Sequence, residues 1–263
     1  MSFSVFFFFY FLISFLALPS TSACDRCVHK SKVSYFSSSS ALSAGACGYG
    51  SMAIGFNGGG YEAAGNPALY RDGLGCGGCF QIRCTNRKIC SSKGVKVVLT
   101  DTHQSSRSAF LLSRPAFLAL GKQEIMKSGI VDVEYKRISC EYKNNLSVRV
   151  EESSQKPNNL VIKFLYQGGQ TDIVAVDVAQ VGSSDWRYMT RDHGRPVWNS
   201  SRVPPGALQM RLVVTGGYDG KWIWADKDVL PADWKLGSVY DSGLQITDIA
   251  QEACSPCDTD NWN

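Results

Sequence analysis

The stretch Leu160-Val-Ile-Lys-Phe-Leu-Tyr166 sets Leu160, Ile162, Phe164 and Tyr166 on one side of the chain, and Val161, Lys163 and Leu165 on the other. Side chains alternate across a β-strand with a period of two, so this spacing predicts a strand. The same period returns downstream in Val174, Val176 and Val178, in Leu208, Met210, Leu212 and Val214, and in Trp222 and Trp224. Antiparallel sheets with one wet face produce such a pattern, and a run of short strands separated by turns predicts a β-sandwich. Upstream, Leu146, Val148 and Val150 alternate with polar residues inside a polar stretch from Tyr142 to Asn159. They read as the first strand of this unit, preceded by a linker at 141–145.

The half before the linker has a different character. It carries Gly48, Gly50, Gly55, the run Gly58-Gly59-Gly60, and then Gly73, Gly75, Gly77 and Gly78. Glycine allows positive φ and close backbone approach, which suits tight turns in a loop-rich barrel. No G-x-x-x-x-G-K-[ST] pattern occurs, so phosphate cradling has no support. Val95-Lys-Val-Val-Leu-Thr100 alternates as a strand. Ser113 is placed to cap a short helix with Pro115 in its first turn. A chain of 263 residues accommodates two such domains.

Residues 1–23 read as a signal peptide. Val5 to Leu18 is almost wholly Phe, Leu, Ile and Val without charge, and Thr21-Ser22-Ala23 fits a small-x-small cleavage site. The apolar run is shorter than the ~20 residues a spanning helix needs, so no membrane partner is expected once it is cleaved. All ten cysteines follow it, and an even number in an exported chain predicts disulfides. The C-x-x-C spacings at 24/27, 76/79 and 254/257 would suggest zinc in a cytosolic chain; here no metal and no cofactor are expected. A formal net charge of +4 without a dense basic block gives no basis for a nucleic-acid partner. Asn145-Leu-Ser and Asn199-Ser-Ser are glycan acceptor sequons.

Several ordered blocks resemble plant expansins. In the first domain these are Ala46-Cys-Gly-Tyr-Gly, Cys76-Gly-Gly-Cys-Phe-Gln-Ile-Arg-Cys84, Val97-Val-Leu-Thr-Asp101, Leu112-Ser-Arg-Pro-Ala-Phe117 and Gly129-Ile-Val-Asp-Val-Glu-Tyr-Lys-Arg137. In the second they are Asp172-Ile-Val-Ala-Val-Asp177, Trp186 and Pro231-Ala-Asp-Trp234. Cys24-Asp-Arg-Cys27, Tyr166-Gln-Gly-Gly-Gln170 and Gly220-Lys-Trp-Ile-Trp224 look like the expansin-like A branch. The resemblance implies an all-β protein: a six-stranded double-psi β-barrel over 24–140, the linker at 141–145, an immunoglobulin-like β-sandwich over 146–245, and a C-terminal extension at 246–263. It implies secretion to the plant cell wall, non-hydrolytic loosening, and cellulose, xyloglucan or another hemicellulose as partners of a monomer. It also implies the pairs Cys47–Cys76, Cys79–Cys140 and Cys84–Cys90. Cys24, Cys27, Cys254 and Cys257 are extra, and either local pairs or a link between the termini would satisfy them.

Glycoside cleavage usually needs two carboxyl groups, one to protonate the leaving oxygen and one to activate water or attack carbon. Asp101 ends an apolar strand and keeps the family's first acid. Expansins carry His-Phe-Asp at the second place, and this chain reads Ala109-Phe110-Leu111 there. Leucine transfers no proton, so Asp101 reads as a vestigial groove acid and no catalytic residue is assigned. The rival reading is a weak glycosidase using Asp101 with a second carboxylate such as Glu62, Asp72 or Asp132. A further alternative is a structural or signalling wall protein. Ser34, Tyr35 and His103 are candidate groove residues. Tyr166 and Trp198 are candidate sugar contacts in the second domain, with Trp186, Trp222 and Trp224 as further aromatic candidates. Asn159 and His193 stand where the family often carries aromatic rings.

Overall fold

A computed structural model describes residues 28–36, 45–58, 61–216, 220–225 and 228–248. The expected signal peptide at 1–23, the cysteines at 24, 27, 254 and 257 and the expected C-terminal extension beyond residue 248 lie outside the described residues.

Six strands close a barrel: β1 (His29–Tyr35), β2 (Glu62–Gly65), β3 (Cys79–Cys84), β4 (Val95–Thr102), β5 (Phe110–Leu112) and β6 (Val131–Ile138). Their order around the wall is β1-β5-β2-β4-β3-β6. Two of the pairings, β1 with β5 and β2 with β4, are parallel, and the other four are antiparallel. This is the double-psi arrangement. Val33, Ile82, Leu99, Phe110 and Leu112 fill the interior, and Phe117 of the short helix Arg114–Ala119 joins them. Ser113 stands at the N-cap of that helix, but its hydroxyl accepts from the Glu62 amide at 3.4 Å rather than capping the helix.

The second domain is a sandwich built from β7 (Ser147–Val150), β8 (Leu160–Leu165), β9 (Asp172–Gln180), β10 (Arg187–Tyr188), β11 (Thr190–Arg191), β12 (Val197–Ser200), β13 (Leu208–Thr215), β14 (Gly220–Trp224) and β15 (Val239–Asp241). One sheet runs β10-β9-β13-β14 and the other β11-β12-β8-β7-β15. Leu160, Ile162 and Phe164 of β8 meet Leu208, Met210 and Leu212 of β13 in one core. The alternation at 160–165 places Val161, Lys163 and Leu165 on the outer face of the five-stranded sheet. Leu165 packs there into a cluster with Cys47, Tyr49, Phe56 and Tyr70 of the barrel domain, so the outer face of this sheet packs against the barrel.

Disulfides join Cys47 to Cys76, Cys79 to Cys140 and Cys84 to Cys90 among the described residues. The first two fasten loops beside the domain seam. The seam itself is polar. Asp172 of β9 accepts two hydrogen bonds from Arg71, at 2.6 and 3.0 Å, and one from Arg137 at 2.8 Å. Burial pushes the Asp172 carboxyl up, but the charges and hydrogen bonds of Arg137 and Arg71 outweigh it and hold it below its usual value. Arg191 donates to the Asp72 carbonyl at 2.5 Å, and the Tyr70 hydroxyl donates to the Gly194 carbonyl at 2.7 Å. Gly73 has φ +92°, and a Cβ there would lie 2.8 Å from the Arg195 backbone, so only glycine fits this crossing.

Removing one partner of a buried pair leaves the others uncompensated. Asp172→Asn is therefore expected to cost about 3 kcal/mol of unfolding free energy, measured by denaturant titration. The depressed carboxyl adds the sign. Its contribution is fully present above the unfolded-state value and is lost as pH falls through the lower folded-state value. As pH falls below about 4, thermal melts of wild type and variant should draw progressively together.

A polar track across both domains

Strand register lines four residues up across the barrel wall. Asp101 of β4 partners Ala64 of β2, Ala64 partners Leu111 of β5, and Leu111 partners Ser34 of β1. Val33, Phe110 and Leu112 face the interior, so Ser34 and Leu111 face outward. Asp101 joins this outer row because of an irregularity. Val97 and Leu99 point inward, and strict alternation would send Asp101 the same way. The register shifts between Ala63 and Ala64, giving β4 one extra residue, and the bulge turns Asp101 out. Its Oδ1 accepts from the Ala46 amide at 2.7 Å and the Thr102 amide at 2.8 Å. Leu111 lies two strands away, about 10 Å at ordinary strand spacing.

The Ala46–Asp101 contact brings the row to the edge of a cleft. Gly45 to Gly48 form its barrel wall, and the outer face of the five-stranded sheet forms the other, enclosing about 730 Å³. Lys163, Arg191, Arg195, Glu151, Asn159 and Asn199 supply most of the lining polar groups. Lys163 is buried and donates to the Gly48 carbonyl at 2.6 Å and to Glu151 at 3.3 Å. Burial lowers its pKa, and the Glu151 charge works against that. Tyr70 marks where the two walls meet. Burial raises its hydroxyl pKa, the charges of Asp101 and Asp72 add to this, and those of Arg191 and Arg195 oppose it. Acids of the barrel and arginines of the sandwich thus converge on one phenol.

The residues singled out from sequence divide sharply. Ser34 lies in the row and donates to the Gly129 carbonyl at 2.7 Å. Tyr35 turns toward the barrel core and packs on Phe117 at 4.9 Å. His103 is buried; its Nδ1 accepts from the Ser105 amide and its Nε2 faces the Ala109 carbonyl, so both ring nitrogens are occupied. Burial lowers its pKa. Trp198 is 3% exposed in the sandwich core, because its register with Ile162 aims it inward. Tyr166 packs between Phe56 and Tyr142 at the seam. Asn159 lines the cleft, where a residue without a ring widens it and makes it wetter. Asp132 pairs with Lys32 at 2.6 Å. Glu62 is buried, its Oε1 has no hydrogen-bond partner among the described residues, and burial raises its pKa. Arg191, Arg195, Lys163 and Tyr70 escaped the sequence reading. Lys163 alone left a signal, as the single charge in an apolar strand.

A double-psi barrel fixed against a β-sandwich, with a polar track running from one to the other, defines a two-domain architecture whose parts match known proteins. The profile described as Expansin C-terminal domain matches residues 146–231, and one described as Lytic transglycolase matches residues 62–135. Expansin-like A1 of Arabidopsis thaliana is 56% identical over 265 residues, covering 98% of this chain and 99% of that one. Expansin-like A3 of Oryza sativa subsp. japonica is 56% identical over 253 residues, covering 93% and 91%. The apo crystal structure of Clavibacter michiganensis expansin superposes with a TM-score of 0.63 at 19% identity, covering 83% of this chain and 98% of that one. The same fold similarity holds for a point mutant of that bacterial protein, solved in complex with cellohexaose. The chain belongs to the expansin family.

Asp101 organises the loop it touches, which yields a second expectation. Asp101→Ala removes the acceptor of two amides, and about 1–3 kcal/mol of stability should go with it. Amide hydrogen exchange at Ala46 should accelerate while exchange in β8 stays slow.

Proposed function

We propose that this protein binds plant cell-wall polysaccharide along the track from Ser34 to the interdomain cleft and disturbs contacts between polymers without cutting them. The observation that carries this reading is the row Asp101–Ala64–Leu111–Ser34, which presents one carboxylate where two-acid cleavage needs a pair. The cleft supports a hydroxyl-rich ligand. Asn159 and Asn199 offer both donors and acceptors. Cellohexaose in the related bacterial expansin suggests a β-glucan, cellulose or a hemicellulose such as xyloglucan. We place the protein outside the cell as a monomer, delivered by residues 1–23 and free of cofactor. Asn145 is part of the proposal as a glycan acceptor; a glycan at Asn199 would instead occupy the cleft wall and take that side chain's donor, leaving Asn159 to meet the ligand.

The rival enzyme reading draws on Glu62, a carboxyl whose pKa burial raises, as a proton donor. A structural or signalling role in the wall is the other alternative. One set of assays separates them. The wild type is expected to co-sediment with insoluble cellulose or retard in gels containing xyloglucan, and to release no reducing ends. Reducing sugar that disappears in both Asp101→Asn and Glu62→Gln would establish the enzyme instead. No retention on any wall polysaccharide would favour the signalling role. In extension assays on isolated walls, Leu111→Asp should restore or increase creep relative to wild type.

A further inference from the structure

The four-stranded sheet β10-β9-β13-β14, whose Asp172 at the start of β9 grips the barrel, carries further along it features that the track does not use. Across its outer face, Tyr188 of β10 partners Asp177 of β9, Asp177 partners Arg211 of β13, and Arg211 partners Trp224 of β14. Trp222 stands beside them, opposite Val213. These rings are open to solvent: Tyr188 is 60% exposed, Trp224 51% and Trp222 41%. They are also held. The Arg211 guanidinium lies 4.6 Å from the Trp186 ring and 4.6 Å from the Trp222 ring. Asp177 fixes that guanidinium with contacts of 2.8 and 2.7 Å. Trp224 stands 6.0 Å from Trp222 at 35°. Three indoles and a guanidinium form one interleaved stack rather than loose side chains.

We infer that this outer face is a second carbohydrate-binding surface, taking an uncharged polysaccharide with flat pyranose rings. Three properties select that occupant. Contiguous exposed aromatic area marks an interaction site, and indole and phenol rings offer an apolar face to sugar C–H groups while their polar edges stay wet. The stack is pre-ordered, so binding costs little side-chain entropy. The charge on the face is neutralised within it, Arg211 by Asp177. That balance complements a neutral polymer and gives an acidic chain or an anionic lipid surface nothing to pair with. The surface lies on the sheet opposite the one that lines the cleft, so one molecule could hold two polymers at once.

The test uses the full mature chain in affinity gels containing xyloglucan, mixed-linkage β-glucan or polygalacturonate. W222A/W224A should weaken retention by the two neutral glucans at least ten-fold while leaving the thermal melt within a few degrees of wild type. R191A/R195A, on the cleft side, should leave the Trp222/Trp224 contribution intact. Tryptophan fluorescence should shift on adding xyloglucan to wild type and not to W222A/W224A. Unchanged glucan retention in W222A/W224A overturns the second surface and leaves the cleft reading standing. Retention that fails in wild type overturns both. Binding to polygalacturonate or phosphatidylserine vesicles that is lost in W222A/W224A, or a wild-type dimer that this variant dissolves, also overturns the inference.

Discussion

One carboxylate holds the two domains in a fixed relation. Asp172 belongs to the sandwich, yet its partners Arg71 and Arg137 both belong to the barrel. A bidentate contact to one guanidinium and a second contact to another leave the carboxylate little freedom to rotate. It fixes one end of the seam, while Lys163 donating to the Gly48 carbonyl and Arg191 donating to the Asp72 carbonyl fix the cleft end. The apolar cluster around Leu165 supplies attraction at the seam, but attraction alone does not set an angle. Directional hydrogen bonds do, and here they are charge-assisted.

The same logic operates on a smaller scale in β4. A strand that obeyed its alternation would bury Asp101 in the barrel, at the cost of an ion in an apolar interior. One extra residue at the bulge reverses the last turn of the pattern. The displaced carboxylate then becomes the acceptor that fastens the loop at Ala46. The polar track therefore depends on a departure from regular structure, placed where the domain walls meet.

Much of the fold is legible in the sequence because it rests on period-two patterning. Leu160–Leu165 and Leu208–Val214 announce their inward faces, and both enter the sandwich core. The barrel is less legible from periodicity, since parallel pairings such as β1 with β5 join segments far apart in the chain; the family blocks supply it. Side-chain direction at the site was the hardest part. Trp198 and Tyr35 are amphipathic rings that serve equally in a core or on a surface, and only register decides. His103 follows Asp101 closely in sequence, but the chain turns after Thr102 and takes the ring under the surface. Arg71, Arg191 and Arg195 sit outside any apolar pattern, so their convergence on the seam exists only in three dimensions.

Gly73 crosses the Arg195 backbone closely, and Tyr70 and Arg191 bond across the same crossing, so barrel and sandwich are joined there as well as through the covalent chain. A displacement of the barrel is passed to the sandwich through this crossing as well as through the covalent connection.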